Sequence, residues 1–344
     1  GMIQVGILGA TGAVGQRFIQ LLDEHPEFEL RVMTASDASA GETYRSAAKW
    51  RVDTPIPPAV AEQTVRRTDP EAIPDDVDLL FSSLPSSVAA EVEHDFVEAG
   101  YVVSSNSSNE RQAEDVPLVI PEVNPEHLEL IADQREQRGW DGALIKNPNC
   151  STITMVPALA ALSEFGIERV QVATLQAVSG AGYSGVSSME IIDNALPHIS
   201  GEEAKMEHES RKLLGQYAEG EIQWHDAEVA ASCNRIPTID GHLENVFVEF
   251  DADPTVEEVK RALREADTID LPTAPDPLIT VFEDPDRPQP RLDRMVGDGM
   301  GIAVGGVQAT ESGIKFNVLA HNTIRGAAGA SVLNGELLAA EGWL

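Results

Sequence analysis

A lone cysteine lies where a turn passes into an apolar segment. The turn has the sequence NPN at positions 147–149, and Cys150 follows it directly. Asn-Pro and Pro-Asn pairs favour turns, whereas Ser151 and Thr152 favour the start of a helix. A thiol at a helix N-terminus ionises more readily, because the helix dipole and free N–H groups stabilise the thiolate. The stretch therefore predicts a nucleophilic Cys150, although a buried apolar cysteine would show the same pattern.

Two further polar groups accompany predicted elements. Gln176 ends a predicted strand and precedes the loop AVSGAG at 177–182, so that an amide and a flexible loop emerge together. Glu202 and Lys205 are three residues apart on a predicted helix and share one face. The plain alternatives are an amide without a ligand and a solvated ion pair worth less than ~1 kcal/mol.

Arg235 and His242 frame the turn IPTIDG. An arginine can hold a carboxylate with two parallel hydrogen bonds, and a histidine can act as a general base near neutral pH. The turn can bring both groups to one place. A surface arginine beside a hydrogen-bonded histidine would give the same sequence.

The first thirty residues have the pattern of a βαβ unit. An apolar strand at 3–8 leads into the turn GATGAVG at 9–15, a helix at 16–22 and a second strand at 30–33. Glycines let the backbone approach a pyrophosphate, whose charge then faces the helix N-terminus. The spacing is GxxGxxG instead of GxGxxG, but its place between strand and helix predicts a dinucleotide site.

The residues after the second strand are those that would meet the ribose or its 2′-phosphate. Ser36 and Ser39 can donate hydrogen bonds to a phosphate, whereas Asp37 would repel one if it pointed inward. The loop therefore gives a mixed indication of NADP binding.

Alternating strands and helices continue to the cysteine, which predicts an α/β fold with a doubly wound parallel sheet of Rossmann type. Beyond it, longer strands predict an α+β domain with a mostly antiparallel sheet. We therefore predict a dinucleotide-binding domain at 1–149, completed by a C-terminal helix at 322–344, and a second domain at 150–321. The strands predicted in the second domain are 169–177, 243–250, 279–282, 302–308 and 313–320.

Acidic residues dominate the composition: 57 Asp and Glu face 24 Lys and Arg, for a formal net charge of -33. This charge makes nucleic acids and anionic membranes poor partners. The acids are spread along a chain that is 42% hydrophobic, which predicts folded domains with an acidic surface suited to a high-salt cytoplasm. The sequence shows no signal-like start, no long apolar run, no disulfide framework and no zinc spacing, so we expect a cytoplasmic protein without a metal.

Several motifs together resemble one family over nearly the whole chain. The sequence is similar to the aspartate-β-semialdehyde dehydrogenases, and in particular to their archaeal and fungal branch. The motifs that carry the resemblance are the glycine turn at 9–15, SSNS at 104–107 with Arg111, VIPEVN at 119–124, NPNCST at 147–152, QAVSGAG at 176–182, GEEAK at 201–205, the segment 235–244 and NTIRGAAGASVL at 322–333.

The resemblance implies a reaction in lysine, threonine and methionine biosynthesis. Cys150 would attack L-aspartyl-4-phosphate, phosphate would leave, and NADPH would reduce the resulting thioester to L-aspartate 4-semialdehyde. His242 would be the acid and base, and Gln176 would orient the acyl group. The implied substrate and phosphate ligands are Arg235 for the α-carboxylate, Glu202 for the ammonium group, and Lys205, Arg111 and Asn106 for phosphate. The implied cofactor contacts are Gly9, Thr11, Gly12, Ala13, Val14, Ser36, Ser39, Leu84, Pro85, Ser179, Gly180 and Asn322.

The sequence departs from the family in the loop after Ser36. An acid, an arginine and a serine often follow there, but Ala38 replaces the arginine and Glu42 stands where lysine is common. Other interpretations are a malonyl-CoA or N-acetylglutamyl-phosphate reductase and a non-catalytic dinucleotide sensor; Glu202 with Arg235 favours an amino-acid substrate. The resemblance also implies that 150–321 is the catalytic and dimerisation domain, and it predicts a homodimer or homotetramer.

Overall fold

A computed structural model describes all 344 residues. The chain forms two compact units: unit 1 comprises Gly1–Val119, Glu126–Asn147 and Ala327–Leu344, and unit 2 comprises Ile120–Pro125 and Pro148–Gly326. The strands are β1 Ile3–Leu8, β2 Phe28–Ala35, β3 Arg66–Arg67, β4 Leu79–Ser82, β5 Val102–Ser105, β6 Ala143–Lys146, β7 Ile167–Gln176, β8 Gln216–Ala218, β9 Glu221–Gln223, β10 Glu228–Arg235, β11 His242–Phe250, β12 Ile279–Val281, β13 Ile302–Ala309 and β14 Ile314–Ala320. The helices are α1 Ala13–Leu22, α2 Tyr44–Ala47, α3 Pro58–Ala61, α4 Ser86–Glu98, α5 Leu130–Arg138, α6 Cys150–Ala161, α7 Ser188–Ile191, α8 Glu202–Leu213, α9 Val256–Arg264, α10 Pro290–Asp293 and α11 Gly329–Ala340.

Unit 1 is built on a six-stranded sheet in the order β3-β2-β1-β4-β5-β6. Every pair in it is parallel, which confirms the predicted doubly wound fold. The strand order reverses between β1 and β4, and the carboxyl ends of the strands at such a point form the usual ligand crevice. Leu8, Val32, Leu80 and Val103 belong to a buried cluster on one face of this sheet.

The helix and the second strand of the first βαβ unit are longer than the apolar pattern of the sequence predicts. The predicted helix 16–22 begins at Ala13, and the predicted strand 30–33 runs over Phe28–Ala35. Exposed Glu29 and Arg31 break the apolar pattern of β2, but pairing with β1 extends the strand past them. The ends of β2 are therefore set by its parallel pairing with β1, and the polar residues Glu29 and Arg31 do not mark them.

Helix α11 closes unit 1, and it packs against β4, β5 and α1. Its buried Glu336 lies 3.0 Å from Nε2 of His25. A π-helical turn over Ile324–Ala328 precedes this helix. Across the chain, the helices are all too short or too polar to cross a lipid bilayer.

Unit 2 contains a mixed six-stranded sheet in the order β10-β7-β11-β14-β13-β12. Three pairs are antiparallel, whereas β10 pairs with β7 and β12 with β13 in parallel. Helices α6, α8 and α9 pack on this sheet. The sequence prediction missed β10, because its exposed edge position leaves a weak apolar alternation; this strand carries Arg235 to the site.

The acid within the segment VIPEVN forms a buried ion pair. Arg325 donates from Nη1 and Nη2 to the two carboxylate oxygens of Glu122, at 3.0 and 2.7 Å, and both side chains are fully buried. Its Nε also donates to the Met300 carbonyl, at 2.7 Å. Removing one partner of such a pair leaves an uncompensated charge, so Ile120–Pro125 is held firmly within unit 2.

Candidate active site

Cys150 is the first residue of α6, and it is half-buried. The preceding Asn149 caps the helix, since its Oδ1 accepts from the N–H groups of Ser151 and Thr152 at 3.0 and 3.2 Å. The turn before the helix positions the thiol, and the apolar remainder of α6 is buried. The thiol is thereby fixed at the positive end of the helix dipole.

His242 is the partner of this thiol. Its Nε2 lies 3.2 Å from Sγ of Cys150, and its Nδ1 accepts a hydrogen bond from the Ala177 N–H at 3.1 Å. Burial, and then the positive charge of Arg235 and the presence of His321, lower the pKa of His242 to about 3. The imidazole is therefore neutral at pH 7, and because Nδ1 accepts, its proton sits on Nε2 and faces the sulfur.

Arg235 and Gln176 end neighbouring strands. They pair directly, Arg235 on β10 with Gln176 on β7, and β11 begins alongside them at His242. Arg235 Nη1 donates to the Ala177 carbonyl at 2.7 Å, so Ala177 is bonded to both the guanidinium and the imidazole. The Gln176 amide donates to Thr174 at 3.0 Å, while its oxygen has no hydrogen-bond partner. That oxygen is a ready acceptor for a ligand.

The loop after Gln176 closes over these two side chains. A Cβ at Gly180 would lie 2.8 Å from Arg235 Nη1 and 3.2 Å from His242 Cε1, so any other residue would crowd the site. Asn322 holds the same loop, because its Nδ2 donates to Ser179 Oγ at 2.9 Å. Its Oδ1 accepts from the Gly241 N–H at 2.8 Å. The predicted cofactor contacts Ser179, Gly180 and Asn322 thus lie together in unit 2.

Glu202 contacts the turn of the nucleophile. Its Oε1 accepts from Asn149 Nδ2 at 2.8 Å and its Oε2 from Ser151 Oγ at 3.1 Å. A second acid of α8, Glu209, accepts from the Asn149 N–H at 2.7 Å. Lys205 lies one helical turn from Glu202 and is partly exposed. A substrate ammonium group at Glu202 would therefore share a carboxylate that already orients Asn149 and Ser151.

The glycine turn of unit 1 has the shape that a pyrophosphate needs. Gly9 has a φ of +80°, and a Cβ at Gly15 would lie 2.2 Å from the Gly9 carbonyl oxygen, which only glycine avoids. Open space surrounds Gly12, where a Cβ would meet no atom within 4 Å. Gly12 also precedes the first turn of α1, so the predicted contacts Thr11, Ala13 and Val14 lie at the helix N-terminus. These residues fit a dinucleotide.

The other predicted cofactor residues of unit 1 follow β2 and β4. Ser36 is exposed and Ser39 partly exposed in the loop after β2. Leu84 and Pro85 follow β4, and Pro85 is the residue before α4. All four lie at the carboxyl ends of the two parallel strands that flank β1, on the edge that binds ligands in such sheets.

A buried lysine and glutamate position the two predicted phosphate ligands of unit 1. Arg111 donates to the Asn106 carbonyl at 2.8 Å. Lys146 Nζ donates to Glu93 at 2.7 Å and to the hydroxyls of the serines that flank Asn106. Burial lowers the pKa of Lys146, and Glu93 opposes that shift. The loop that carries Asn106 is thus anchored to the end of β6.

Sequence reasoning missed several positioning groups: Glu93, the Asn149 cap, the Ala177 backbone, Glu209 and Gly326. A Cβ at Gly326 would lie 3.0 Å from Cys150 Cβ, so glycine is needed for the close approach to the thiol. Of these, the cap had a visible signal, since asparagine directly before a helix is a strong N-cap. The others depend on contacts between distant parts of the chain.

The parallel sheet with its glycine turn defines the class of protein as a dehydrogenase with a dinucleotide-binding domain. The sequence model of the semialdehyde dehydrogenase NAD-binding domain matches residues 4–131, and that of the semialdehyde dehydrogenase dimerisation domain matches residues 158–325. The chain belongs to the aspartate-semialdehyde dehydrogenase family, as its relatives show. It is 53% identical to the aspartate-semialdehyde dehydrogenase of Archaeoglobus fulgidus over 98% of each chain.

Solved structures agree with this assignment. The aspartate-semialdehyde dehydrogenase of Candida albicans with NADP superposes with a TM-score of 0.92 and is 43% identical, with 100% of each chain covered. Enzyme II of Vibrio cholerae, complexed with ASA, has a TM-score of 0.79 and 30% identity over 98% of each chain. The similarity extends over both units.

Glu244 is a buried acid on the same strand face as His242, two residues along β11. Its side chain is fully buried, and neither carboxyl oxygen has a hydrogen-bond partner. Burial, followed by the charge of Glu202, raises the pKa of Glu244 well above its ordinary value. Burial therefore favours the protonated carboxyl, because an unpaired negative charge on this face would cost free energy.

We expect the stability of Glu244→Gln relative to the wild type to increase as the pH rises above the ordinary glutamate pKa of 4.5. The unfolded chain releases the Glu244 proton there, whereas the folded protein retains it, so the wild type loses stability with rising pH. Glutamine has no such proton. The variant's melting temperature minus that of the wild type should rise between about pH 4 and pH 7; a difference that stays constant would show that Glu244 ionises normally.

Proposed function

We propose that the chain is an NADP-dependent aspartate-semialdehyde dehydrogenase that reduces L-aspartyl-4-phosphate to L-aspartate 4-semialdehyde and phosphate. The contact between Cys150 Sγ and His242 Nε2 is the observation that carries the proposal. The Cys150 thiolate attacks the acyl carbon and phosphate leaves, which gives a thioester. Bound NADPH supplies the hydride that reduces the thioester. Loss of the thiolate from the resulting hemithioacetal oxyanion then releases the aldehyde and restores Cys150.

The neutral state of His242 suits each of these steps. Its Nε2–H can donate to the Cys150 thiolate at rest and to the oxyanion once the acyl group is bound. The overall reaction consumes one proton, which the departing phosphate takes up. The oxyanion therefore needs only a hydrogen-bond donor, and no proton has to be transferred to it. Because Nδ1 accepts from the Ala177 N–H and Nε2 carries the proton, His242 serves as a hydrogen-bond donor to the thiolate or to the oxyanion, whichever carries the charge.

The remaining predicted residues have roles consistent with their positions. We assign Arg235 to the substrate α-carboxylate, since its guanidinium lies beside His242 and Gly180. Gln176 orients the acyl group through its unpaired amide oxygen. Glu202 pairs with the ammonium group. Phosphate binding is assigned to Lys205, Arg111 and Asn106.

Assembly as a homodimer or homotetramer is part of the same proposal. The family description of the part that matches residues 158–325 is a dimerisation domain. The outer face of the second sheet supports it, because Phe247 on β11 is 45% exposed and Gln171 on β7 is exposed beside it. A second copy would cover this face.

Cys150→Ser should abolish phosphate-dependent reduction of NADP with aspartate semialdehyde while leaving NADP binding intact. A serine hydroxyl at its ordinary pKa is a much poorer nucleophile than a thiolate. Cys233→Ser is the matched control: burial raises the pKa of Cys233 to about 12, so this thiol should be inert and its variant active. Turnover by the Cys150 variant, or its loss in the Cys233 variant, would assign the nucleophile elsewhere; no turnover by the wild type would overturn the proposed function.

His242→Ala should lower kcat by ~10²- to 10⁴-fold, the usual range for a positioned proton donor or acceptor. Arg235→Lys should chiefly raise KM for aspartate semialdehyde, because lysine cannot make the two-pronged contact with a carboxylate. Steady-state kinetics of both variants distinguish the roles. A His242 variant in which KM alone changes would contradict a part in the chemical step.

We propose that the chain belongs to the archaeal and fungal branch of the family and that it is halophilic. The melting temperature should therefore rise with salt. A net charge of -33 makes the compact state repel itself. Thermal unfolding from about 0.1 M to about 3 M KCl covers the change from partial to nearly complete screening. Sucrose at equal osmolality is the control for general effects on water, and a melting temperature that stays flat or falls with KCl would refute this expectation.

A further inference from the structure

The loop that should receive the 2′-phosphate of NADP carries negative charge and no arginine. It follows β2 and turns sharply, since the N–H groups of Ser39 and Ala40 donate to the Ser36 carbonyl at 2.9 and 3.1 Å. Asp37 and Glu42 are both exposed on it. A 2′-phosphate beside Ser36 and Ser39 would therefore meet two carboxylates, so the cation that favours NADP must come from another segment.

The short edge strand β3 is bound to both ends of this loop. Arg67 on β3 pairs with Ala35, the residue directly before Ser36. At the other end, Gly41 N–H donates to the Val65 carbonyl and Val65 N–H to the Glu42 carbonyl, each at 2.8 Å. The residues that flank the loop thus lie beside Val65 and Arg67. A guanidinium from β3 is within side-chain reach of the predicted 2′-phosphate position.

Strand register places Arg67 on the face of the sheet that α1 covers. Phe81 on β4 stacks on Phe18 of α1, at 5.3 Å between ring centroids. Ile7 pairs with both Phe81 and Met33, and paired residues in a parallel sheet project to the same side. Ala35, two residues beyond Met33, shares that side, and so does its partner Arg67. This is the face on which the glycine turn leads into α1.

The neighbouring arginines Arg66 and Arg45 contact other groups. Arg66 projects to the opposite face, where its Nη1 donates to the Ala72 carbonyl at 2.8 Å. Arg45, on α2, donates to Glu62 at 3.1 Å. The Arg67 side chain is 59% exposed and lies 3.4 Å from Asp69, an exposed ion pair of a weak kind.

We propose that Arg67 binds the 2′-phosphate of NADP and supplies the preference for NADP over NAD that Ala38 cannot. A guanidinium and a phosphate form parallel, charge-assisted hydrogen bonds, which an exposed contact with one carboxylate does not match. Asp69 competes with the phosphate for Arg67, and Ser36 and Ser39 add hydrogen bonds at the loop. The inference rests on NADP being the cofactor and does not depend on the acyl substrate.

The test is equilibrium binding of NADP, NAD and 2′,5′-ADP to the full-length protein at about 0.1 M salt, where exposed charges still interact. Arg67→Ala should lower the NADP/NAD affinity ratio by about tenfold or more and weaken 2′,5′-ADP to the same degree, since a charge-assisted contact is lost. NAD affinity should stay unchanged. Arg66→Ala and Arg45→Ala are the matched controls, each removing one positive charge nearby, and their ratios should stay within about twofold of the wild type.

Asp69→Asn is the converse variant. It removes the competing charge, while its Oδ1 can still accept from the Glu71 N–H, as Asp69 does at 2.9 Å. The NADP/NAD ratio should therefore rise. The far-ultraviolet circular dichroism and melting temperature of every variant should match the wild type, since the three arginines are exposed and asparagine at position 69 can keep the hydrogen bond to the Glu71 N–H.

Two results would overturn the proposal: an unchanged ratio in Arg67→Ala, or an equal fall in all three arginine variants, which would indicate a general effect of charge. Because binding is measured without turnover, these outcomes are independent of the proposed reaction. A protein that binds NADP through Arg67 but does not reduce it with aspartate semialdehyde and phosphate would refute the reaction and retain this inference.

Discussion

One backbone hydrogen bond, from the Ala177 N–H to Nδ1 of His242, determines what the pair of Cys150 and His242 can do. Because Nδ1 must accept, the proton of the neutral imidazole is placed on Nε2, which faces Cys150. The same residue accepts from Arg235 through its carbonyl, so a single peptide segment orients both the imidazole and the guanidinium. The geometry depends on β7, β10 and β11 ending side by side, and hence on the register of the second sheet.

Negative charge near Cys150 opposes the ionisation of its thiol. Glu202 and Glu209 both accept hydrogen bonds from Asn149, and carboxylates close to a thiol disfavour its ionisation. The helix dipole, the His242 N–H and the charge of Arg235 act in the opposite sense. Burial and the charge of Glu202 raise the pKa of Glu244, so charge on this third acid is disfavoured as well.

The sequence predicts best what depends on neighbouring residues. The glycine turn, Asn149 before α6 and the parallel sheet of unit 1 follow from local patterns, because each turn and each buried strand is encoded in consecutive residues. The sequence predicts the edge of the second sheet poorly, since apolar and polar residues alternate only weakly along the edge strand β10. Contacts such as Asn149 with Glu209, 60 positions apart, have no local signature. The turn between Arg235 and His242 and the family resemblance both indicated Arg235, but only the strand pairing shows how it meets Gln176.

The distribution of positive charge reconciles an acidic protein with anionic ligands. Salt screens exposed charges strongly, to about 3 Å at 1 M, and buried ones much less. Arg111 and Arg235 are buried, so their attraction for phosphate and carboxylate would survive in concentrated salt. Arg67 is exposed, and at high ionic strength its selectivity must come from short-range hydrogen bonds. A chain with few cations can thus keep its substrate contacts independent of salt while its cofactor preference stays sensitive to it.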